Sequence, residues 1–253
     1  MIPPQINDMN VNLSELFYSI QGESTRAGLP CTFVRFAECN LRCTWCDSRF
    51  SFKTSLVVPL SAIVAEVERV GCSLVEITGG EPLLQRAAVE ALAAALFARG
   101  KTVMMETTLS MELGGLDPRI IKIVDIKPPG SGMEKHMRWD EIENLTENDE
   151  LKFVLASRED FDWSLDVISR YPRLMKFPIL FSPALGKIQP NDLAEWILES
   201  GAPVRMQVQL HKFLTTEETR DSFTAHRERL AKNHPALVAA AIPAGDTPAV
   251  THA

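Results

Sequence analysis

Short apolar runs rich in β-branched and aromatic residues recur along this chain, separated by stretches whose apolar residues repeat at helical spacing. The strand-like runs are Thr32 to Phe36, Leu74 to Thr78, Thr102 to Glu106, Ile120 to Ile126, Leu151 to Leu155 and Val204 to Gln209, with a shorter run at Ile179 to Phe181 as a candidate seventh. Helices fit between most of them. Ser61 is placed to cap a helix reaching about Val70, Gly100 to stop one beginning near Ala87, and Pro190 to sit in the first turn of one ending near Ser200. Alternation of this kind predicts an α/β fold around a parallel sheet, and right-handed crossovers leave an open doubly wound sheet or a partial barrel. Both place chemistry at the C-terminal ends of the strands.

The chemically informative residues fall at those ends: Glu38 and Cys39 after the first run, Gly79 and Gly80 after the second, Thr107 after the third, Lys127 after the fourth and His211 after the last. The chain is 253 residues long, enough for a substantial core, and reads as one domain over 1–214. Beyond Leu214, Thr216 to His234 has the pattern of a charged helix and the Ala- and Pro-rich remainder is weakly patterned, so 215–253 is expected to be a helical, mobile extension.

Lys and Arg total 26 against 33 Asp and Glu, a net charge of −7, which argues against a broad nucleic-acid surface. The start, MIPPQINDMNVNLSE, lacks the pattern of a signal peptide, and no stretch reaches the roughly 18 apolar residues of a membrane span. A cytoplasmic protein is expected. Five cysteines in such a setting read as thiols, ligands or catalytic groups rather than as a disulfide framework.

Three of the five stand close together in CNLRCTWC, at Cys39, Cys43 and Cys46, in a loop after a strand where winding backbone can aim three thiolates at one centre. A structural zinc site and a ferredoxin-type cluster each use four protein ligands, so a trio leaves a metal position open for chemistry. The alternative is zinc with a fourth ligand from Cys31, Cys72 or a histidine; those two cysteines otherwise read as packing residues at strand starts. One β-α unit later comes Thr78-Gly79-Gly80-Glu81-Pro82. Its paired glycines allow close approach of a ligand to backbone, and a strand-end carbonyl with the Glu81 carboxylate would accept from an ammonium group.

With CxxxCxxC after the first strand and GGEP after the second, the chain resembles the radical S-adenosylmethionine (SAM) enzymes. Over most of residues 13 to 214 it is similar, more narrowly, to the 7-carboxy-7-deazaguanine synthase family of queuosine biosynthesis. LFYSIQGES, GLPCTFVRFAECNLRCTWCDS, TGGEPLLQ, METT, DIKPPGSG and QVQLHKFL carry that likeness. The resemblance implies a partial (βα)6-type barrel and a [4Fe–4S] cluster on Cys39, Cys43 and Cys46, whose open iron is chelated by SAM. Electron transfer then yields a 5′-deoxyadenosyl radical that abstracts hydrogen from 6-carboxy-5,6,7,8-tetrahydropterin, and ring contraction with loss of ammonia gives 7-carboxy-7-deazaguanine.

Matched motif by motif, the resemblance implies Mg²⁺ at Ser48, SAM contacts at Trp45, Cys46, Asp47, Gly80, Glu81, Asp125, Ile126 and Lys127, and substrate contacts at Ile20, Gln21, Gly22, Arg35, Thr78, Glu106 and His211. Glu23 is adjacent and could contribute. Arg35 suits the substrate's carboxylate, because a guanidinium meets a carboxylate in a two-bond fork. A serine hydroxyl is a sensible hard ligand for Mg²⁺. Relatives usually carry threonine where Ser48 stands, glycine where Glu38 stands, and Ser-Pro-Lys where this chain has Asp125-Ile126-Lys127. An external one-electron donor such as flavodoxin and a homodimer are implied as well. The rival readings are another small radical SAM enzyme, such as a glycyl-radical activase, and a non-catalytic zinc or iron-sulfur module.

Overall fold

The computed structural model describes residues 9–52 and 56–214. The predicted helix at Thr216 to His234 and the tail beyond it lie outside the described residues. The strands are β1 (Asn10–Ile20), β2 (Pro30–Phe36), β3 (Leu56–Pro59), β4 (Leu74–Gly79), β5 (Thr102–Thr108), β6 (Ile121–Asp125), β7 (Glu150–Leu155), β8 (Ile179–Pro183) and β9 (Arg205–Met206). The α-helices used below are α1 (Leu60–Val70), α2 (Arg86–Phe97), α3 (Arg158–Arg170) and α4 (Pro190–Ser200). The sheet runs β3-β1-β2-β4-β5-β6-β7-β8-β9. From β2 onward every pairing is parallel, while β1 is antiparallel to both β2 and β3. All seven predicted runs are strands of this parallel series, although the last shortens to Arg205–Met206. The result is the α/β partial barrel expected, extended at its leading edge by the antiparallel β1 and β3.

Local expectations meet mixed outcomes. Pro190 opens α4, which ends at Ser200 as expected. Ser61 does not cap α1: the N-cap is Pro59, two residues earlier, whose extended backbone carries β3 straight into the helix. Helix α2 stops at Phe97, and Gly100, at φ +69°, closes the turn beyond it by donating its N–H to the Phe97 carbonyl. No α-helix joins β5 to β6 or β6 to β7; loops and single 3₁₀ turns make those connections.

Period-2 alternation gives the parallel sheet two different faces. Val34, Phe36, Val75, Ile77, Val103, Met105, Val124, Leu151 and Phe153 pack with the helices in the main core. The opposite, concave face holds a smaller cluster of Cys31, Phe33, Leu74, Met104, Ile121 and Ile123. Farther along the same face the residues turn polar. Arg35 sits opposite Thr78, Glu106 opposite Ile123, Thr108 opposite Asp125, and Asp125 opposite Lys152. The apolar residues plug one end of the incomplete barrel and leave the charged ones facing the other.

The gap between β1 and β9 is bridged by the loop after β1. Ser24 exchanges two hydrogen bonds with the Gln207 side chain, at 2.8 and 2.7 Å. Thr25 and Arg26 both bind Glu150 of β7, at 2.7 and 3.2 Å. The Gly22 carbonyl accepts from the N–H of Leu210 at 3.0 Å. Among the described residues no helix is long and apolar enough to cross a membrane.

Candidate active site

A cavity of about 330 Å³ opens at the C-terminal ends of the parallel strands, and all three clustered cysteines line it. The loop that carries them is fixed on several sides. Glu38 turns the chain out of β2 with φ +76°, its N–H donating to the Ser51 carbonyl at 2.9 Å and its carbonyl accepting from Glu81 at 2.8 Å. Arg42 donates to the carbonyls of Cys39 (2.8 Å) and Leu41 (2.7 Å) and lies over the Phe52 ring. Thr44 donates from its backbone to Ser131 (3.1 Å) and from its hydroxyl to Gly130 (3.0 Å), which ties the loop to the PGSG turn after β6.

All five cysteines are free thiols. Burial raises the Cys39 and Cys43 thiols above the ordinary range, and each is raised further by the nearness of Cys46. Among the described residues, no three His, Cys, Asp or Glu side chains converge on a single metal ion. Three thiols on one cavity are the donor set of a cluster that keeps one iron open, whereas a structural zinc needs a fourth protein ligand. Cys31 and Cys72 lie at the other end of the strands, Cys31 inside the small apolar cluster and Cys72 against it. Neither can supply the fourth ligand the zinc alternative needs.

Trp45, Asp47 and Ser48 also line the cavity. The Ser48 hydroxyl donates to Asp47 Oδ1 at 2.9 Å. Asp47 in turn pairs with Lys212 and lies 3.9 Å from His211 Nε2. Burial works to raise Asp47, but the neighbouring His211 and the charge of Lys212 hold it well below the usual carboxylate range.

Gly79 and Gly80 bring the next loop against the cluster loop. A Cβ on Gly80 would stand 2.7 Å from Cys39 Cβ, so only glycine permits this approach. The expected role of the Glu81 side chain is not what the structure shows. Its carboxylate is fully buried and turned from the cavity, accepting from Thr107 Oγ1 (2.7 Å), from Thr108 N and Oγ1 (both 3.0 Å) and from Leu83 N (3.0 Å). Glu81 shapes the turn and leaves backbone to meet a ligand. Ile126 is likewise fully buried, its N–H donating to the Lys152 carbonyl at 2.8 Å.

Its neighbours Asp125 and Lys127 reach the cavity and pair with each other at 2.8 Å. Burial opposes the Lys127 charge, yet Asp125 and Cys43 raise its pKa above the ordinary lysine value. Asp125 Oδ1 is buried and has no hydrogen-bond donor. An orphaned acceptor in the wall, beside bare glycine backbone, fits a ligand with several N–H and O–H donors such as SAM.

Arg35 enters from β2. Its Nε donates to Glu15 Oε1 at 2.7 Å and one terminal nitrogen to the Gly79 carbonyl at 3.4 Å, with the Phe17 and Phe50 rings each 6.0 Å from the guanidinium carbon. Thr78, Glu106 and His211 line the cavity with it, whereas Ile20, Gln21 and Gly22 stand behind the lining. The Gln21 amide donates to Glu76 and accepts from the backbone of Glu23 at 3.1 Å. A Cβ on Gly22 would stand 2.6 Å from His211 Nδ1. Gln21 and Gly22 therefore set the positions of Glu23 and His211.

Glu23, which stands beside the predicted substrate segment, lines the wall, and the site also contains side chains to which the sequence assigns no role: Lys152 and Gln209 at the wall and Glu76 beneath it. Lys152 Nζ pairs with Glu106, with Glu23 at 3.1 Å and with Asp125 at 3.6 Å. The available signal was charge inside apolar parallel strands, Glu76 in LVEITG and Lys152 in ELKFVL. Charges so placed need partners, because burying an isolated one costs several kcal/mol.

Residues 34–124 match the radical SAM superfamily. The chain is 38% identical over 224 residues to the 7-carboxy-7-deazaguanine synthase of Koribacter versatilis, covering 83% of this chain and 99% of the relative. It is 40% identical to the synthase of Chlorobaculum tepidum, covering 83% and 96%. The crystal structure of QueE from Escherichia coli superposes with a TM-score of 0.63 at 19% identity, covering 81% of this chain and 96% of that one, which speaks for the fold alone. A partial parallel barrel with a cysteine trio and a glycine-rich turn at its mouth defines a radical SAM enzyme. Within that superfamily the chain belongs to the 7-carboxy-7-deazaguanine synthase family.

Proposed function

We propose that this enzyme converts 6-carboxy-5,6,7,8-tetrahydropterin to 7-carboxy-7-deazaguanine with release of ammonia, a carbon-nitrogen lyase step of queuosine biosynthesis. The observation that carries the reading is one cavity holding the thiols of Cys39, Cys43 and Cys46 on one wall and Arg35, Glu23 and Glu106 on others. The three thiolates would hold a [4Fe–4S] cluster, which with bound SAM supplies the electron and the alkyl radical that removes hydrogen from the substrate.

The chain's own residues do the binding and orienting. Arg35, steadied by Glu15, offers its remaining guanidinium edge to the substrate carboxylate. Glu106 and Glu23 present acceptors to the N–H groups of the heterocycle, Thr78 and His211 flank them, and Gln21 and Gly22 hold Glu23 and His211 in place. Gly80 backbone, Trp45, Asp47, Asp125 and Lys127 form the SAM side. Ser48 offers Mg²⁺ a hydroxyl oxygen, with water and substrate oxygens completing its shell. Residues 1–214 act as the catalytic domain. We propose a cytoplasmic homodimer supplied with electrons by a flavodoxin-type donor.

The test is anaerobic reconstitution with iron and sulfide, reduction, and addition of SAM, Mg²⁺ and the carboxytetrahydropterin, with 7-carboxy-7-deazaguanine followed by mass. Wild type should form product and Cys43→Ala none. SAM cleavage with the pterin untouched would overturn the substrate, and no SAM cleavage in well-loaded protein would overturn the enzyme class.

A further inference from the structure

Lys152 is the most buried charge in the cavity wall, with its side chain only 3% exposed. It lies on β7 directly across the parallel ladder from Asp125 of β6. Its ammonium group has three N–H donors and faces three carboxylates, Glu23, Glu106 and Asp125, which come from three separate parts of the chain. Glu23 and Glu106 stand on the substrate side and Asp125 on the SAM side. Asp125 Oδ2 is shared with Lys127, 2.8 Å away against 3.6 Å to Lys152, while Oδ1 has no donor at all. Asp125 thus holds Lys152 the least tightly of the three and has the most unmet hydrogen-bonding capacity.

We infer that Lys152 is a positioning residue that couples the two ligand sites, so that SAM and the pterin each bind more tightly when the other is present. The inference rests on the assignment of Asp125 to SAM and of Glu23 and Glu106 to the pterin. When donors of SAM engage Asp125, they reduce its pull on the shared ammonium. Lys152 then bonds more fully to Glu106 and Glu23, which fixes the two acceptors that read the heterocycle. The effect is reciprocal, because a coupling free energy belongs to both sites. Burial alone would discharge such a lysine, but the charges of Glu106, Glu23 and Asp125 hold its pKa well above the ordinary value, so the cation persists across the working pH range.

The experiment is a binding square on cluster-loaded protein with the cluster left oxidised, so that no turnover occurs. The dissociation constant of the carboxytetrahydropterin is measured by calorimetry with and without saturating SAM. In wild type SAM should tighten the pterin about fivefold or more, within the usual span of coupling energies. Lys152→Met should bring that ratio to unity, and Lys152→Arg, which keeps the charge, should restore part of it. Glu106 is partly exposed, so Glu106→Gln tests the same coupling should Lys152→Met fail to fold; whatever it does to each affinity alone, it should bring the ratio of pterin affinities with and without SAM towards one. A wild-type ratio of one, or a ratio that survives in the variant read out, overturns the coupling. Failure of wild type to bind either ligand would instead sink the functional reading and the coupling with it.

Discussion

Glu38 shows what one backbone angle demands. At φ +76° it occupies the left-handed region that costs an ordinary L-residue about 1–2 kcal/mol. The geometry supplies the reason for the angle: the chain must turn sharply between β2 and Cys39 while the Glu38 carbonyl receives the Glu81 N–H at 2.8 Å. The side chain itself makes one long contact, from Asn12 Nδ2 at 3.4 Å. Glu38→Gly should therefore raise stability by about 0.5–1 kcal/mol, the relief being partly offset by glycine's greater freedom in the unfolded chain. The midpoint of denaturant unfolding checks it, and a lower midpoint would show that the Asn12 contact outweighs the strain. Glu81 teaches a related lesson. A carboxylate in a ligand-binding turn invites a binding role, but its neighbours Thr107, Thr108 and Leu83 satisfy it internally.

At the scale of elements, the loop between β1 and β2 does what no single strand can. It spans the open side of the barrel, and Gly22 lets it touch His211 closely. Gly22→Ala would force His211 off its place without disturbing the core. The expected result is a nearly unchanged melting temperature with a roughly ten- to hundredfold loss in kcat/KM for the pterin, the scale on which misplacement of about an ångström acts. Steady-state kinetics beside thermal melts separate that from a folding defect. The parallel strands were legible in the sequence because each is a compact apolar run buried on both faces. β1 was not, since a register shift between Leu13 and Glu15 breaks its alternation, and β3 was not because it is only four residues long. Ser61 looked like a cap by type, yet the turn out of β3 brought the helix start to Leu60.

For the whole molecule the polar interior sets a pH dependence. Glu76 lies on the concave face beneath the site; burial first, then the nearby charges of Glu106 and Glu23, push its carboxyl up to about 8 from an ordinary 4.5, against the hydrogen bond from Gln21. Below the ordinary value both folded and unfolded chains hold the proton and nothing is lost. As pH rises the unfolded chain releases it while the fold retains it, so stability falls until about pH 8 and then levels. Glu76→Gln keeps an acceptor for Gln21 and removes the titration. Its melting temperature should exceed that of wild type at pH 7, by about 2–4 °C for each kcal/mol recovered. The gap should widen from about pH 5 to 8 and stay constant above. A gap independent of pH would show that Glu76 is ionised in the fold.

The sequence by itself determined the strand series, the position of the chemistry at the strand ends and the cysteine trio, because periodicity and short spacing are local properties that survive in any fold of the chain. Only the tertiary structure decided where the carboxylates point. Lys152 meets Glu23, Glu106 and Asp125 across separations of 129, 46 and 27 residues, contacts created by strand order and register. The same holds for Gln21, whose motif marks it for the pterin but whose amide is taken by Glu76, 55 residues away. A side chain's partner depends on which strands become neighbours, and that depends on burying the apolar faces of all of them at once.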